Sequence, residues 1–150
     1  MKNAVPFVVA VVISVLAAVP GVWAEDPAPG ATPEASAETD VIVAIYFHGN
    51  VRCATCRKIE AYADEAIAQG FPDELASGRV EWRAVNLDEP DNKHFIDDFQ
   101  LVTKSVVLVE YRDGEVARWQ NLDKVWQLVR NKDDFVAYVQ DGTREFIGAS

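Results

Sequence analysis

Cysteine is scarce in this sequence. Its 150 residues hold only two, Cys53 and Cys56, both in one short motif. A small fold stapled by disulfides needs more cysteines at wider spacing, so a disulfide scaffold is excluded. Positive charge is scarce too. Against 24 Asp and Glu stand 14 Lys and Arg, a formal charge of −10. Binding to nucleic acid needs basic surface to neutralise phosphate, and this balance argues against it. A membrane-spanning helix needs about 20 apolar residues. The nearest approach, Ala4 to Ala18, is shorter and is interrupted by Pro6 and Ser14. No cysteine lies near Ala24, which argues against a lipid-anchored form. There is no internal repeat.

What is present divides the chain in three. Residues 1–24 read as a secretory signal peptide. Lys2 gives the positive start, an apolar stretch follows, Pro20-Gly21 ends it, and Val22-Trp23-Ala24 offers a cleavage site. An uncleaved N-terminal anchor is the alternative, and only in that case would the protein touch a membrane. Residues 25–39 read as an acidic linker. They hold three prolines, one glycine and four acidic residues, with no large apolar side chain, and cannot offset chain entropy by burial. Residues 40–150 are long enough for one domain with a core of its own. Export is therefore expected, to the periplasm where the cell has an outer membrane. Disulfides persist in such a compartment.

Val41 to Phe47 is a continuous apolar run rich in β-branched and aromatic residues, which predicts a buried central strand. His48 to Arg52 is the following turn. A helix is expected from near Cys53 to Gly70, with Ile59, Tyr62, Ala63, Ala66 and Ile67 on its apolar face. Pro72 predicts a short second helix over residues 73–76. Val80 to Leu87 predicts a second strand, and Asp88 to Asn92 a turn. A helix is expected over 93–99 and a strand over 105–111. Asp113-Gly114 predicts a hairpin to a strand over 115–119. Two C-terminal helices follow, one lined by Leu122, Val125, Trp126 and Val129, the other by Phe135, Tyr138, Val139 and Phe146. Strand and helix alternate, then a hairpin follows. That order predicts an α/β fold, a mixed sheet with helices on both faces.

The chemistry lies in Cys53-Ala54-Thr55-Cys56. A strand end delivers Cys53 to the start of a helix, where unpaired N–H groups and the helix dipole favour thiolate. Arg52 and Arg57 flank the motif and push the same way. Cys56 lies one turn on, within reach of Cys53. Such a pair suits exchange in two steps, Cys53 as nucleophile and Cys56 as resolving thiol. His48 is expected either to tune the thiolate or to make a loop hydrogen bond. A passive bridge is the plainer reading of the cysteines, but a loop this short constrains the unfolded chain little. Metal capture is the sharper rival, since two thiolates suit soft ions. A closed zinc site would need nitrogen from His48 and His94 as well, and no resident metal is expected.

These features resemble the thioredoxin superfamily over about Val41 to Val139. The resemblance rests on the apolar strand before Cys-Ala-Thr-Cys, the Arg-Lys-Ile-Glu continuation, Val85-Asn86-Leu87-Asp88, and Tyr111 to Glu115. More narrowly, Tyr46 to Arg57, Thr103 to Gly114 and Asn121 to Gln127 resemble small exported thioredoxin-like proteins named as subunits of a nitrophenyl-compound nitroreductase. That resemblance implies a role in reducing aromatic nitro groups. The broader thioredoxin resemblance implies a substrate-facing loop, at Ser105 and Val106. Three departures stand out. Arg52 replaces the tryptophan usual before the first cysteine. Ile45-Tyr46-Phe47 lacks the buried acid that serves the resolving thiol. Ser105 or Val106 replaces the proline before the hairpin strand.

The expected function is thus exported thiol–disulfide exchange without a bound cofactor. Electrons would pass to or from a protein thiol or disulfide partner, such as a membrane electron conduit or a reductase subunit. The alternative is a dithiol module that captures soft metals or arsenicals without turnover.

Overall fold

The computed structural model describes residues 40–149. The expected signal peptide (1–24) and linker (25–39) lie outside the described residues. The elements run β1 (Val41–His48), α1 (Ala54–Gly70), α2 (Pro72–Ser77), β2 (Val80–Asn86), α3 (Phe95–Asp98), β3 (Val106–Arg112), β4 (Glu115–Leu122), α4 (Val125–Leu128) and α5 (Lys132–Gly148). A 3-10 turn at Pro90–Asn92 precedes α3.

The strands form one sheet in the order β2-β1-β3-β4. β1 is parallel to β2 and antiparallel to β3, and β3 pairs antiparallel with β4. β1 is central as its apolar run predicted, and Ile42 to Phe47 are all buried. Alternation along β1 divides the core. Ile42, Ala44 and Tyr46 pack with Ile59 and Ala63 of α1, Val125 of α4 and Phe135 of α5. Val43, Ile45 and Phe47 face the other way, onto Phe95 and Phe99 around α3. The expected mixed sheet with helices on both faces is what forms. The β3–β4 hairpin turns at Asp113 and Gly114, both at positive φ (54° and 81°), as Asp-Gly turns require.

Two elements differ from the sequence reading. The expected helix over 93–99 contracts to the single turn of α3. Asn92 Nδ2 donates to the Asn86 carbonyl (2.9 Å), which holds the preceding segment in a turn, and Gln100 at φ 49° ends the helix. Leu122, expected on a helix, instead closes β4 fully buried. Only one helical turn, α4, follows it, and Asn131 then caps α5 by accepting from Asp134 N–H.

Candidate functional site

β1 ends at His48, and a tight turn carries the chain to α1. Side chains from β2 and the loop after it hold that turn. Asn50 N–H donates to Asp88 Oδ2 (2.6 Å), and Asn86 Nδ2 donates to Asn50 Oδ1 (2.8 Å). A Cβ at Gly49 would lie 2.9 Å from Asp88 Oδ2, so a larger residue there would displace the carboxylate that holds Asn50 N–H.

The turn places Cys53 as the N-cap of α1. Its sulfur accepts the Cys56 N–H at 3.0 Å, so the cap is a sulfur where Ser or Asp would ordinarily stand. Cys53 and Cys56 are joined as a disulfide. The pair is asymmetric. Cys53 is exposed, whereas Cys56 is 2% exposed. An incoming thiolate can therefore reach only the first sulfur.

Beneath the pair, Tyr46 fills part of the stretch that lacks a carboxylate. Its hydroxyl donates to the Cys56 carbonyl at 3.0 Å. Burial pushes the Tyr46 hydroxyl up from its ordinary value, and Arg52 draws it only partly back, so it acts as a neutral donor. Removing that bond in Tyr46→Phe should cost about 1 kcal/mol of stability, measured by denaturant unfolding of the oxidised protein. A cost near zero would show that the bond contributes nothing to anchoring α1.

Lys104, on the loop before β3, brings a cation to the buried sulfur. Its Nζ lies 3.9 Å from Cys56 Sγ and donates to the Val51 carbonyl at 2.8 Å. Trp126 Nε1 donates to the Lys104 carbonyl at 2.6 Å, which straps the loop to α4. Sequence reasoning missed Lys104 and gave Trp126 only a core role. No local motif joins Lys104 to the cysteines; only the pairing of β1 with β3 does.

The residues expected to tune or bind are placed as follows. Arg52 is half-buried and forms an ion pair with Glu60, while its NH1 lies 3.4 Å from His48 Nε2. His48 Nδ1 lies 3.1 Å from the Gly49 carbonyl, which fits a neutral ring donating from Nδ1 and accepting at Nε2. His48 is thus bound within the turn. Arg57 is exposed on α1, and its N–H closes the first helical bond onto the Cys53 carbonyl (3.1 Å). Ser105 and Val106 are buried. The Ser105 carbonyl accepts Phe47 N–H at 2.9 Å, and Val106 pairs with Tyr46. The sheet therefore takes up their backbone. The outward part of this loop is Val102 and Thr103, and Val102 is 96% exposed beside the dithiol turn, where Val51 is 78% exposed. His94 lies apart from the cysteines on another element, paired with Asp98 at 2.6 Å. Among the described residues, no three His, Cys, Asp or Glu side chains converge as metal ligands.

A parallel β-α-β unit followed by an antiparallel hairpin and a closing helix is a thioredoxin-like fold, and the dithiol sits at the N-cap of its first helix. Solved structures similar to the chain include thioredoxin O2 from Arabidopsis thaliana in its oxidised state, with 19% identity over 64% of this chain and 76% of that one, and a TM-score of 0.38. Thioredoxin from Trypanosoma brucei brucei has 21% identity over 67% and 79%, with a TM-score of 0.36. Chlamydomonas reinhardtii thioredoxin f2 has 18% identity over 63% and 81%, with a TM-score of 0.38. No family model and no curated protein matches the chain.

Proposed function

We propose that this protein is an exported thiol–disulfide oxidoreductase that works through Cys53 and Cys56. The observation that carries the reading is the unequal exposure of two bonded cysteines at a helix N-cap. In the oxidised state a partner thiolate attacks Cys53 Sγ. The Cys53–Cys56 bond breaks, a mixed disulfide forms, and Cys56 leaves as thiolate. A second partner thiolate then attacks the partner's own sulfur in the mixed disulfide and releases Cys53 as thiolate. The partner ends as a disulfide. Two electrons have passed to the domain, and two protons restore the thiols. The reverse sequence reduces a partner disulfide, and relative potentials set the direction.

Both leaving thiolates find stabilisation. Cys53 is left at the N-cap with the Cys56 N–H aimed at it. Cys56 is left beside the Lys104 ammonium. Where a buried carboxylate would accept a proton from the resolving thiol, a cation here favours the anion instead. The narrower family resemblance suggests one destination for the electrons, a reductase of aromatic nitro compounds. A membrane thiol carrier is the other candidate partner.

The test is the pH dependence of alkylation of the reduced protein. Cys53 should react faster than Cys56, with a midpoint below about 8.5, the value of a free thiol. A midpoint at or above 8.5 would remove the basis for exchange. Stoichiometric capture of a soft metal with no exchange would convert the reading to a binding module.

Lys104→Met should slow reduction of the Cys53–Cys56 disulfide by a small monothiol at pH 7 by roughly three- to ten-fold, because it removes the cation beside the leaving Cys56 thiolate and keeps the stem. Lys104→Arg should recover part of the loss. An unchanged rate in Lys104→Met would mean the ammonium serves only the Val51 carbonyl.

A further inference from the structure

The oxidoreductase reading leaves partner chemistry open, and the charge around the motif narrows it. α1 has no acidic residue in its first turn. Arg57 closes that turn and Lys58 opens the next. Cations near the positive end of a helix oppose its dipole. Their placement thus works against the helix. It also works against the chain average, since acids outnumber bases by 24 to 14. Lys104 adds a further positive charge against Cys56. Among the described residues, Arg52 is the one of these cations with an ion pair, to Glu60.

A groove opens where this first turn meets α4. Thr55, the second of the two residues between the cysteines, lies on it, with Lys58, Trp126, Val129 and Arg130. Its apolar wall comes from Trp126 and Val129, its charge from Lys58 and Arg130. Among the described residues, neither Lys58 nor Arg130 enters an ion pair. The acids nearest Arg130 in sequence are Asp133 and Asp134, in the first turn of α5, and Asp134 is held by Asn131.

We propose that this groove docks an acidic segment of the partner protein next to the partner's reactive disulfide or dithiol. Carboxylates would seat between Lys58 and Arg130 while the partner sulfur meets Cys53. The inference rests on the oxidoreductase reading and adds the class of partner to it. Opposite charge speeds encounter and selects against basic partners.

The full chain, reduced, is mixed with two peptides of equal length, each closed by one disulfide. One carries Glu on both sides of its cysteines, the other Gln. Stopped-flow second-order rate constants are read at about 20 mM and about 300 mM salt, since screening shortens the range of charge effects. The Glu peptide should react about ten-fold faster at low salt, with most of that advantage lost at high salt. Lys58→Glu with Arg130→Glu should abolish the advantage. Arg79→Glu makes the same kind of charge change at the opposite end of β1, where the Arg79 carbonyl accepts Ile42 N–H, and should leave it in place. Equal rates for the two peptides, or equal losses in both variants, would overturn docking while leaving exchange intact. Failure to react with either peptide would instead overturn the oxidoreductase reading. If the small disulfide of mercaptoacetate gains as much over a neutral analogue as the Glu peptide does, the groove serves small anions, and the proposal of a protein segment is overturned.

Discussion

Cys53→Ser is expected to abolish disulfide exchange, with a loss on the order of a thousand-fold or more, because a serine hydroxyl at neutral pH supplies no comparable nucleophile. Cys56→Ser is expected to behave differently. Cys53 remains exposed and can still attack a partner disulfide, but the resolving sulfur is gone. The mixed disulfide should then accumulate, and non-reducing electrophoresis after growth or incubation with partner would show it as a covalent adduct. The asymmetry follows from exposure. Cys56, at 2%, can reach its bonded neighbour and little else. A passive bridge makes the contrary prediction. Neither variant would affect cellular function, and each would lose only the loop-closure contribution, roughly 2 kcal/mol for so short a loop. Full activity in both variants would overturn the redox reading, and an adduct with Cys53→Ser but none with Cys56→Ser would reverse the assignment.

The parts of this molecule that are local in sequence were legible there. The Val41–Phe47 run reads as a central strand because a strand buried on both faces needs no polar alternation. Asp113-Gly114 reads as a hairpin because few residues tolerate φ of 54° and 81° in succession. Cys53 and Cys56 read as a pair within bonding reach at a helix start, from the strand before them and the helix after them, and the structure joins them there. Illegible parts depend on distant contacts. Leu122 and Val125 lie three apart, which suits a helical face, yet Leu122 pairs with Val106 and ends a strand. Short apolar stretches are ambiguous in this way until tertiary pairing decides. Lys104 approaches Cys56 only because β3 lies beside β1, and no spacing rule connects them. Glu110 offered a usable signal that went unread. A charged residue inside an apolar strand requires a partner on the same face, and Arg112 and Arg118 stand two and eight residues on.

Glu110 also carries the largest expected effect on stability. It is fully buried on β3, opposite Ile42 of β1 and Arg118 of β4. That places it toward the start of β1, away from the dithiol, so its work is structural. Arg112 Nε and NH2 donate to Oε1 at 2.8 and 2.5 Å, and Arg118 donates to Oε2. Arg118 in turn lies over the Phe146 ring and donates to the Phe146 carbonyl. One carboxylate thereby links β3 and β4 to the last turns of α5. Burial alone would raise the Glu110 pKa, but the hydrogen bonds and charges of Arg112 and Arg118 outweigh it and hold the carboxyl below its ordinary value. Removing one partner of a buried pair costs about 3–5 kcal/mol. Here the arginines are 49% and 29% exposed and water can re-solvate them, so Glu110→Gln should cost about 2–3 kcal/mol at pH 7. The pH sign follows from the depressed folded value. The contribution is complete above the unfolded carboxyl value near 4.3 and is lost as pH falls through the folded one. The stability gap between wild type and Glu110→Gln, from denaturant unfolding, should hold constant from pH 7 to about 5 and narrow steadily below about 4. A gap that widens in acid, or one below about 0.5 kcal/mol at neutral pH, would mean the two arginines do no more for Glu110 than an exposed ion pair does.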